Sequence, residues 1–247
     1  NEKDFFEKLE RLLYLAKNSL EIKRKIVEKN IEKNLLPYTK RYLGTLKRHF
    51  STIGIVGMNE CCLNFLRESI ASKEGQEFAL RVLKFIRKEL LKYQKETGNI
   101  YNLEATPAEG CSYRLAKIDR EQYPRIIAAS KDTPYYTNST HLPVGHTDDI
   151  FAALKHQDPL ETQYTGGCVF HTFLGESLNS SNECKLLAKK IATNFKLPYF
   201  TMTPTFSICP EHGYLKGQQP KCPRCGKETE VYSRVVGYLR PVKNWHA

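Results

Sequence analysis

Four residues of metal-binding type near the C-terminus, three cysteines and one histidine, constrain the fold more than any other feature of this sequence. Cys209 and His212 form one pair with two residues between them, and Cys222 and Cys225 form a second pair with the same spacing. Zinc takes four such ligands in a tetrahedron, and two tight turns supply them. The spacing therefore predicts a closed, structural zinc site in a small ribbon. The alternative is a reduced thiol cluster without metal.

Glycines support the zinc interpretation, because Gly213 and Gly226 directly follow the second residue of each pair. Backbone N–H groups in such turns point toward sulfur, and glycine leaves no side chain in the way. The chain contains 8 cysteines, and no charged-then-apolar leader opens it. This usage favours metal or redox chemistry over a disulfide framework. Four cysteines are interpreted as core or surface thiols: Cys61, Cys62, Cys168 and Cys184.

Composition describes a globular chain of 247 residues, 40% of them hydrophobic and 26% charged. No apolar run approaches the roughly 18 residues that cross a bilayer, so we expect a soluble cytoplasmic protein without membrane contact. The net charge of +11 is concentrated at the two ends of the chain. Basic ends fit a polyanionic partner such as nucleic acid or nucleotide phosphates. The alternative is solvated lysines on long helices, as in the run Lys23-Arg24-Lys25.

Hydrophobic periodicity predicts an α/β protein. The helical period between Asp4 and Pro37 predicts a long amphipathic helix, either continuous or broken near Ser19. A second long helix is expected at 76–95, with shorter helices at 148–157 and 181–195. Strands are expected at 51–57, 100–105, 167–173 and 199–207. Such alternation indicates an α/β layer or barrel with its chemistry on the loops at the strand ends. A composition change near Ile208 predicts two domains, 1–207 and 208–247.

The segment after the ribbon, Ser233-Arg-Val-Val-Gly237-Tyr-Leu-Arg-Pro241, predicts by itself only a strand bulge or turn. Together with the ribbon it resembles the C-terminal end of the anaerobic, class III ribonucleoside-triphosphate reductases, which are glycyl-radical enzymes. Upstream segments resemble that family in the same order along the chain. These are Ser51–Glu60, Ala105–Glu109, Tyr135–Pro143 and Tyr164–Gly167.

The resemblance implies part of a ten-stranded glycyl-radical α/β barrel with long helices, followed by the zinc ribbon and a glycine loop. It also implies anaerobic reduction of ribonucleoside triphosphates to the deoxyribonucleotides used in DNA replication. Gly237 would be the radical residue, generated by a radical-SAM activase that carries S-adenosylmethionine and an iron–sulfur cluster. Only glycine suits this role, because a Cβ opposes the flattening of a Cα radical. The family's thiyl cysteine lies upstream, and no segment here matches it.

Further site residues and partners follow from the same resemblance. Glu109 is expected to act as an acid or base on the leaving 2′-hydroxyl, or else to be a helix N-terminal residue favoured by the dipole. Asn138, Ser139 and Thr140 are expected to bind substrate, or else to form a polar turn. Cys111 is either a redox thiol or a buried inert one. Implied partners are a nucleotide, formate or a thioredoxin-like reductant, the upstream part of the catalytic subunit and a second copy in a homodimer.

The sequence departs from the family in one ligand, since the family's ribbon usually has four cysteines and this chain has His212. Imidazole is a good zinc ligand, so the site is still expected to bind metal. Two other classes of protein remain open. One is a zinc-ribbon nucleic-acid-binding protein, which would hold phosphates with the basic tail and stack bases on its aromatic residues. The other is a non-catalytic scaffold that retains the fold.

Overall fold

Long helices dominate the first hundred residues. The computed structural model describes residues 1–143, 145–174, 178, 180–235 and 238–244. Helix α1 (Glu2–Glu32) is followed by α2 (Pro37–Leu43), α3 (Met58–Phe65) and α4 (Lys73–Thr97). The side chain of Asn1 caps α1 by accepting a hydrogen bond of 2.9 Å from the N–H of Asp4. Because α1 is continuous, the break considered at Ser19 does not occur.

The main core lies between α1, α4 and the first pair of strands. Phe78, Leu83 and Ile86 on α4 are fully buried, and Phe5 and Phe6 of α1 pack against this cluster. Helix α4 ends at Gly98, whose φ of 72° is the left-handed conformation that glycine adopts without strain. The predicted second helix is therefore confirmed, with three additional residues at its start and two at its end.

Two pairs of parallel strands form the sheet portion of this body. Strands β1 (Phe50–Gly54) and β2 (Ile100–Glu104) pair with Phe50 opposite Ile100. Strands β3 (Phe170–Leu174) and β4 (Phe200–Pro204) pair in the same way, with Phe170 opposite Phe200. A parallel bridge between Glu104 and Gly166 extends the array beyond β2. The body is therefore a mixed α/β structure, as the alternation of segments predicts.

Helices connect and cover these strands. The remaining ones are α5 (Glu109–Gln122), α6 (Ile150–Glu161) and α7 (Ser181–Asn194). Leu154 on α6 and Ile191 on α7 are buried in a second, smaller core with Phe170. Sequence patterns predicted α6 and α7 but not α2 or α3. Helix α5 was anticipated only by the alternative interpretation of Glu109 as a helix N-terminal residue. Within the described residues, no helix is both long and apolar enough to span a membrane.

A four-stranded antiparallel sheet forms the ribbon. Its strands are β5 (Phe206–Cys209), β6 (Gly213–Lys216), β7 (Glu230–Val235) and β8 (Tyr238–Pro241), in the spatial order β6-β5-β7-β8. The predicted strand at 199–207 is in fact two strands separated at Thr205, since β4 pairs with the body and β5 with the ribbon. The ribbon sheet thus begins at Phe206, two residues before the expected boundary.

Candidate metal centre and substrate segment

The four predicted metal ligands come together at one end of the ribbon. The sulfur and nitrogen atoms of Cys209, His212, Cys222 and Cys225 all lie within 4.8 Å of one another. Cys209 Sγ lies 3.6 Å from Cys225 Sγ and 3.7 Å from His212 Nδ1, and Cys222 Sγ lies 3.6 Å from the same nitrogen. With Zn–S bonds of about 2.3 Å, the edge of a tetrahedron is about 3.8 Å long. The donor set and its spacing therefore fit one zinc ion.

The electrostatics of the cluster also suit a cation. Burial opposes ionisation of Cys222, but hydrogen bonds from the N–H groups of Cys225 and Arg224 and from the thiols of Cys209 and Cys225 together lower its pKa to about 6. At Cys225 the N–H of Lys227 favours the thiolate, whereas burial and the neighbouring thiols raise the pKa to about 11. Several thiols at this distance repel as thiolates, and a divalent cation removes that repulsion.

Backbone conformation explains the glycines of the two turns. Gly213 has a φ of 67° and Gly226 a φ of 71°, both in the left-handed region. A Cβ built on either residue would meet nothing within 4 Å. The requirement for glycine therefore comes from the left-handed backbone and not from crowding against sulfur, which corrects the expectation from the sequence.

The radical glycine predicted from the sequence, Gly237, lies outside the described residues. Its neighbours are described: Val235 of β7 pairs with Tyr238 of β8, and β7 pairs in turn with β5, which ends at the ligand Cys209. In the sequence, Gly237 therefore stands between Val235 and Tyr238, two paired residues of the ribbon sheet. Its role stays a prediction.

Glu109 is the first residue of α5, and its side chain is exposed in this chain. A carboxylate at this position interacts favourably with the helix dipole, so the alternative interpretation of Glu109 fits the structure. Its place relative to Gly237 lies outside the described residues, and the acid/base role stays a prediction. Two residues further along α5, Cys111 is also exposed. The interpretation of Cys111 as a buried thiol is therefore wrong.

The segment around Asn138 is held against the start of α3 by an array of hydrogen bonds. The N–H of Gly57 donates to the carbonyl of Thr137 at 2.7 Å, and the N–H of Met58 donates to the carbonyl of Ser139 at 3.1 Å. The buried carboxylate of Glu60 accepts from the N–H and the hydroxyl of Thr137. These contacts fix the backbone of the predicted substrate segment.

The side chains of this segment differ in their accessibility. Ser139 and Thr140 are fully buried, whereas Asn138 is half-buried. The hydroxyl of Tyr164 donates to Thr140 Oγ1 at 3.0 Å, and Gln157 Nε2 donates to the carbonyl of Thr140 at 3.1 Å. Of the three predicted substrate-binding residues, Asn138 is thus the one with an exposed portion of side chain. The binding role of all three stays a prediction.

A buried acid lies next to this segment, at the end of α6. Glu161 is fully buried, its Oε1 is 3.4 Å from His141 Nε2, and its other carboxyl oxygen accepts from the thiol of Cys168. Burial raises the pKa of Glu161 to about 7, although the Cys168 hydrogen bond favours ionisation. Burial, and secondarily His171, lower the pKa of His141 to about 4. Near pH 7 the His141 side chain is therefore neutral, and Glu161 is close to the midpoint of its titration.

Sequence patterns missed these supporting residues. Glu60, His141, Gln157 and Glu161 are polar side chains whose partners are distant in sequence. One local signal existed in α6. Gln157 and Glu161 are four residues apart, so they lie on the same face of the helix, and both are buried together with Leu154 and Leu160. A polar pair on the buried face of a helix indicates buried hydrogen bonds.

Comparison with known proteins gives consistent matches along the whole chain. A protein from Haemophilus influenzae named anaerobic ribonucleoside-triphosphate reductase is 25% identical over 267 residues, which cover 97% of this chain and 37% of that protein. The protein of the same name from Enterobacteria phage T4 is 26% identical over 197 residues, covering 76% of this chain and 31% of the phage protein.

A solved structure agrees with the sequence matches. The crystal structure of the anaerobic ribonucleotide reductase from Thermotoga maritima with MES in the active site superposes with a TM-score of 0.82 at 28% identity. The superposition covers 100% of this chain and 41% of the Thermotoga chain. This chain thus spans well under half the length of the relatives that it matches.

Fold and site together define an α/β protein with an appended ribbon that bears a Cys₃His cluster able to hold a metal ion. The model of one family, described as anaerobic ribonucleoside-triphosphate reductase, matches residues 1–247. The chain belongs to this family, which confirms the resemblance noted in the sequence.

Proposed function

We propose that this chain supplies the radical glycine, Gly237, of an enzyme that reduces ribonucleoside triphosphates to deoxyribonucleoside triphosphates without oxygen. Family membership over residues 1–247 supports this assignment. The observation that carries it is the pairing of Val235 with Tyr238 in the ribbon sheet, because these two residues flank positions 236 and 237 in the sequence. The enzyme's thiyl cysteine would lie in a part of the polypeptide upstream of this chain.

The ribbon's proposed task is to hold the base of the glycine loop. Zinc bound by Cys209, His212, Cys222 and Cys225 would close the end of the sheet at which β5 ends and supply structural rigidity there. Thr205 Oγ1 lies 3.5 Å from Ser233 Oγ, so the linker after β4 contacts strand β7 directly. This contact ties the strand before Gly237 to the α/β body. A strand held in place in this way would keep the proposed radical residue at a constant position relative to its reaction partner.

The body is proposed to form part of the ten-stranded barrel of glycyl-radical enzymes. Two parallel strand pairs and the superposition on the Thermotoga reductase support this proposal. Asn138, Ser139 and Thr140 would form one wall of the nucleotide site, and Asn138 would contact the substrate because its side chain is the accessible one. Glu109 would act as acid or base at the N-terminus of α5. Formate or a thioredoxin-like protein would supply the electrons, and the full enzyme would be a homodimer.

Electron paramagnetic resonance tests the proposal directly. The chain is incubated without oxygen with a radical-SAM activase, S-adenosylmethionine and a reductant. We expect a doublet signal, because one hydrogen remains on the Cα of a glycyl radical, and the doublet should collapse in protein labelled with deuterated glycine. Gly237→Ala should give no signal. Gly110→Ala is the matched control, since a Cβ there meets nothing within 4 Å and the signal should persist.

One observation favours the alternative of a nucleic-acid-binding ribbon. Tyr214, Phe206 and Tyr232 form a row across three ribbon strands, with ring centroids 5.5 Å and 5.4 Å apart. Exposed aromatic rings beside lysines can stack bases of single strands. These rings stack on one another, however, which leaves less ring surface for bases. Salt-dependent binding of a single-stranded oligonucleotide that Tyr214→Ala abolishes would support this alternative.

A further inference from the structure

Helix α1 has a second apolar stripe, opposite to the face that packs into the core. Leu12, Leu15, Ile22 and Ile26 are 63%, 55%, 60% and 53% exposed, and Ser19 completes the stripe. On the other side of the helix, Leu13, Arg24 and Ile31 are buried. Isolated exposed apolar residues are ordinary, but four large ones aligned along one helix, with only the small Ser19 between the two pairs, mark an interaction surface.

The spacing of this stripe specifies the shape of the partner. Its five positions are separated by three, four, three and four residues, which is the alternation of a and d positions in a heptad repeat. The stripe spans the 15 residues from Leu12 to Ile26, or about 21 Å of helix. Side chains with this spacing pack into the holes of a second helix that crosses at a shallow angle.

The residues that border the stripe specify the charge of the partner. With Leu12 as position a, the flanking e and g positions are Arg11, Ala16, Asn18, Lys23 and Lys25. Three of these five residues are basic and none is acidic. A second copy of α1 would bring like charges together, which disfavours a homodimer through this stripe. A helix with acidic border residues would form ion pairs instead.

We propose that the stripe of Leu12, Leu15, Ser19, Ile22 and Ile26 binds an amphipathic helix whose border residues are acidic and which lies outside these 247 residues. The relatives leave room for such a helix, because this chain spans only 37% of the Haemophilus protein and 41% of the Thermotoga chain. The stripe is remote in sequence from the ribbon and from Gly237. Failure of the radical assignment would therefore leave this inference intact.

Binding of two designed peptides to the 247-residue chain tests the proposal. Both are three-heptad amphipathic helices with Leu and Ile at the a and d positions. One has Glu at every e and g position, and the other has Lys there. At low salt we expect the Glu-bordered peptide to bind about tenfold more tightly, measured by fluorescence anisotropy. The preference should shrink as salt is added.

Variants of α1 locate the binding. Leu15→Gln combined with Ile22→Gln should abolish binding, while Tyr14→Gln should leave it unchanged, because Tyr14 is exposed but lies outside the stripe. Circular dichroism checks that the helices remain folded. Equal affinity for the two peptides, or binding that survives the double substitution, would overturn the proposal. Sedimentation that shows a dimer broken by the double substitution would overturn it too, in favour of a second copy.

Discussion

Glu60 and Thr137, which are 77 residues apart in sequence, are joined by two hydrogen bonds in the interior of the protein. The N–H of Thr137 donates to one carboxyl oxygen at 2.8 Å and its hydroxyl donates to the other at 2.7 Å. Glu60 is 2% exposed, so this pair has little competition from water. It fixes the segment that leads to Asn138 against helix α3.

Glu60→Gln is expected to destabilise the protein. An amide offers one acceptor oxygen where the carboxylate offers two. Either the N–H of Thr137 or Nδ2 of Asn59, which also donates to Glu60, would therefore face an NH₂ group. Leaving a buried donor unsatisfied costs about 2 kcal/mol. Urea unfolding followed by circular dichroism measures the change. Glu68→Gln is the control, because Glu68 is exposed just after the same helix, and it should have almost no effect. Equal stability of the two variants would contradict the role of Glu60.

Sequence reasoning succeeded where the controlling interactions are local. The two-residue spacing within each pair predicted the cluster of Cys209, His212, Cys222 and Cys225, because each pair belongs to one tight turn. The helical period predicted α1 and α4, because these helices are long and their apolar residues recur over many turns.

It failed where the deciding partner is distant or the segment is short. Helix α3 has only 8 residues, too few to establish a period, and it is stabilised partly by Glu60 and its distant partner. The exposure of Cys111 depends on which face of α5 the body covers. Nor does any local pattern show that β4 and β5 belong to different sheets.

Gly75→Ala should destabilise helix α4 although alanine has the higher helix propensity. A Cβ on Gly75 would collide with the carbonyl oxygen of Ser69 and would lie 2.9 Å from Ile70 Cα. Both are backbone atoms that cannot turn aside, so we expect a loss of about 2 kcal/mol. Thermal unfolding gives the measurement.

Gly110→Ala is the matched comparison for Gly75→Ala, because both glycines lie in the first turn of a helix and a Cβ on Gly110 meets nothing within 4 Å. Alanine reduces the conformational entropy of the unfolded chain, so this variant should be more stable by up to about 1 kcal/mol. A Gly75→Ala protein as stable as the Gly110→Ala protein would show that the Ser69 carbonyl moves freely.

Cys222→Ser should release the metal and loosen the ribbon while the body stays folded. The ribbon's small core consists of Cys209, Leu215 and Cys222, with Cys225 packed against it, and it is separate from the two cores of the body. Its stability therefore depends on metal ligation. Elemental analysis should find one zinc per chain in the unsubstituted protein and little in Cys222→Ser.

Hydrogen exchange separates the two regions in this variant. Protection of backbone N–H groups from exchange should fall in residues 209–232 and remain in α4. The buried residues of α4 belong to the main core of the body, which is separate from the core of the ribbon. The control is Cys111→Ser, an exposed thiol outside the site, which should keep its zinc. Loss of protection throughout the chain would mean that the ribbon and the body unfold as one unit.

Glu161 and His141 should change the free energy of unfolding in opposite directions as pH rises. Glu161 has a pKa of about 7 when folded, against an ordinary 4.5, so the folded state retains a proton that the unfolded state loses. Between these two values stability falls as pH rises. His141 has a pKa of about 4 when folded, against 6.5, so the unfolded state binds the extra proton. Between those values stability rises with pH.

Because the two windows nearly coincide, the contributions of Glu161 and His141 should almost cancel in the unsubstituted protein. Removing either residue should expose the other. Glu161→Gln should make stability rise from pH 4 to 6.5, and His141→Gln should make it fall from pH 4.5 to 7, each by up to about 3 kcal/mol. Urea unfolding, followed by the circular dichroism of the helices, measures how the stability of each protein changes with pH. Comparing the variants with the unsubstituted protein at the same pH removes the contribution of titrating groups in the ribbon. Parallel curves for the two variants would show that neither group is shifted by burial.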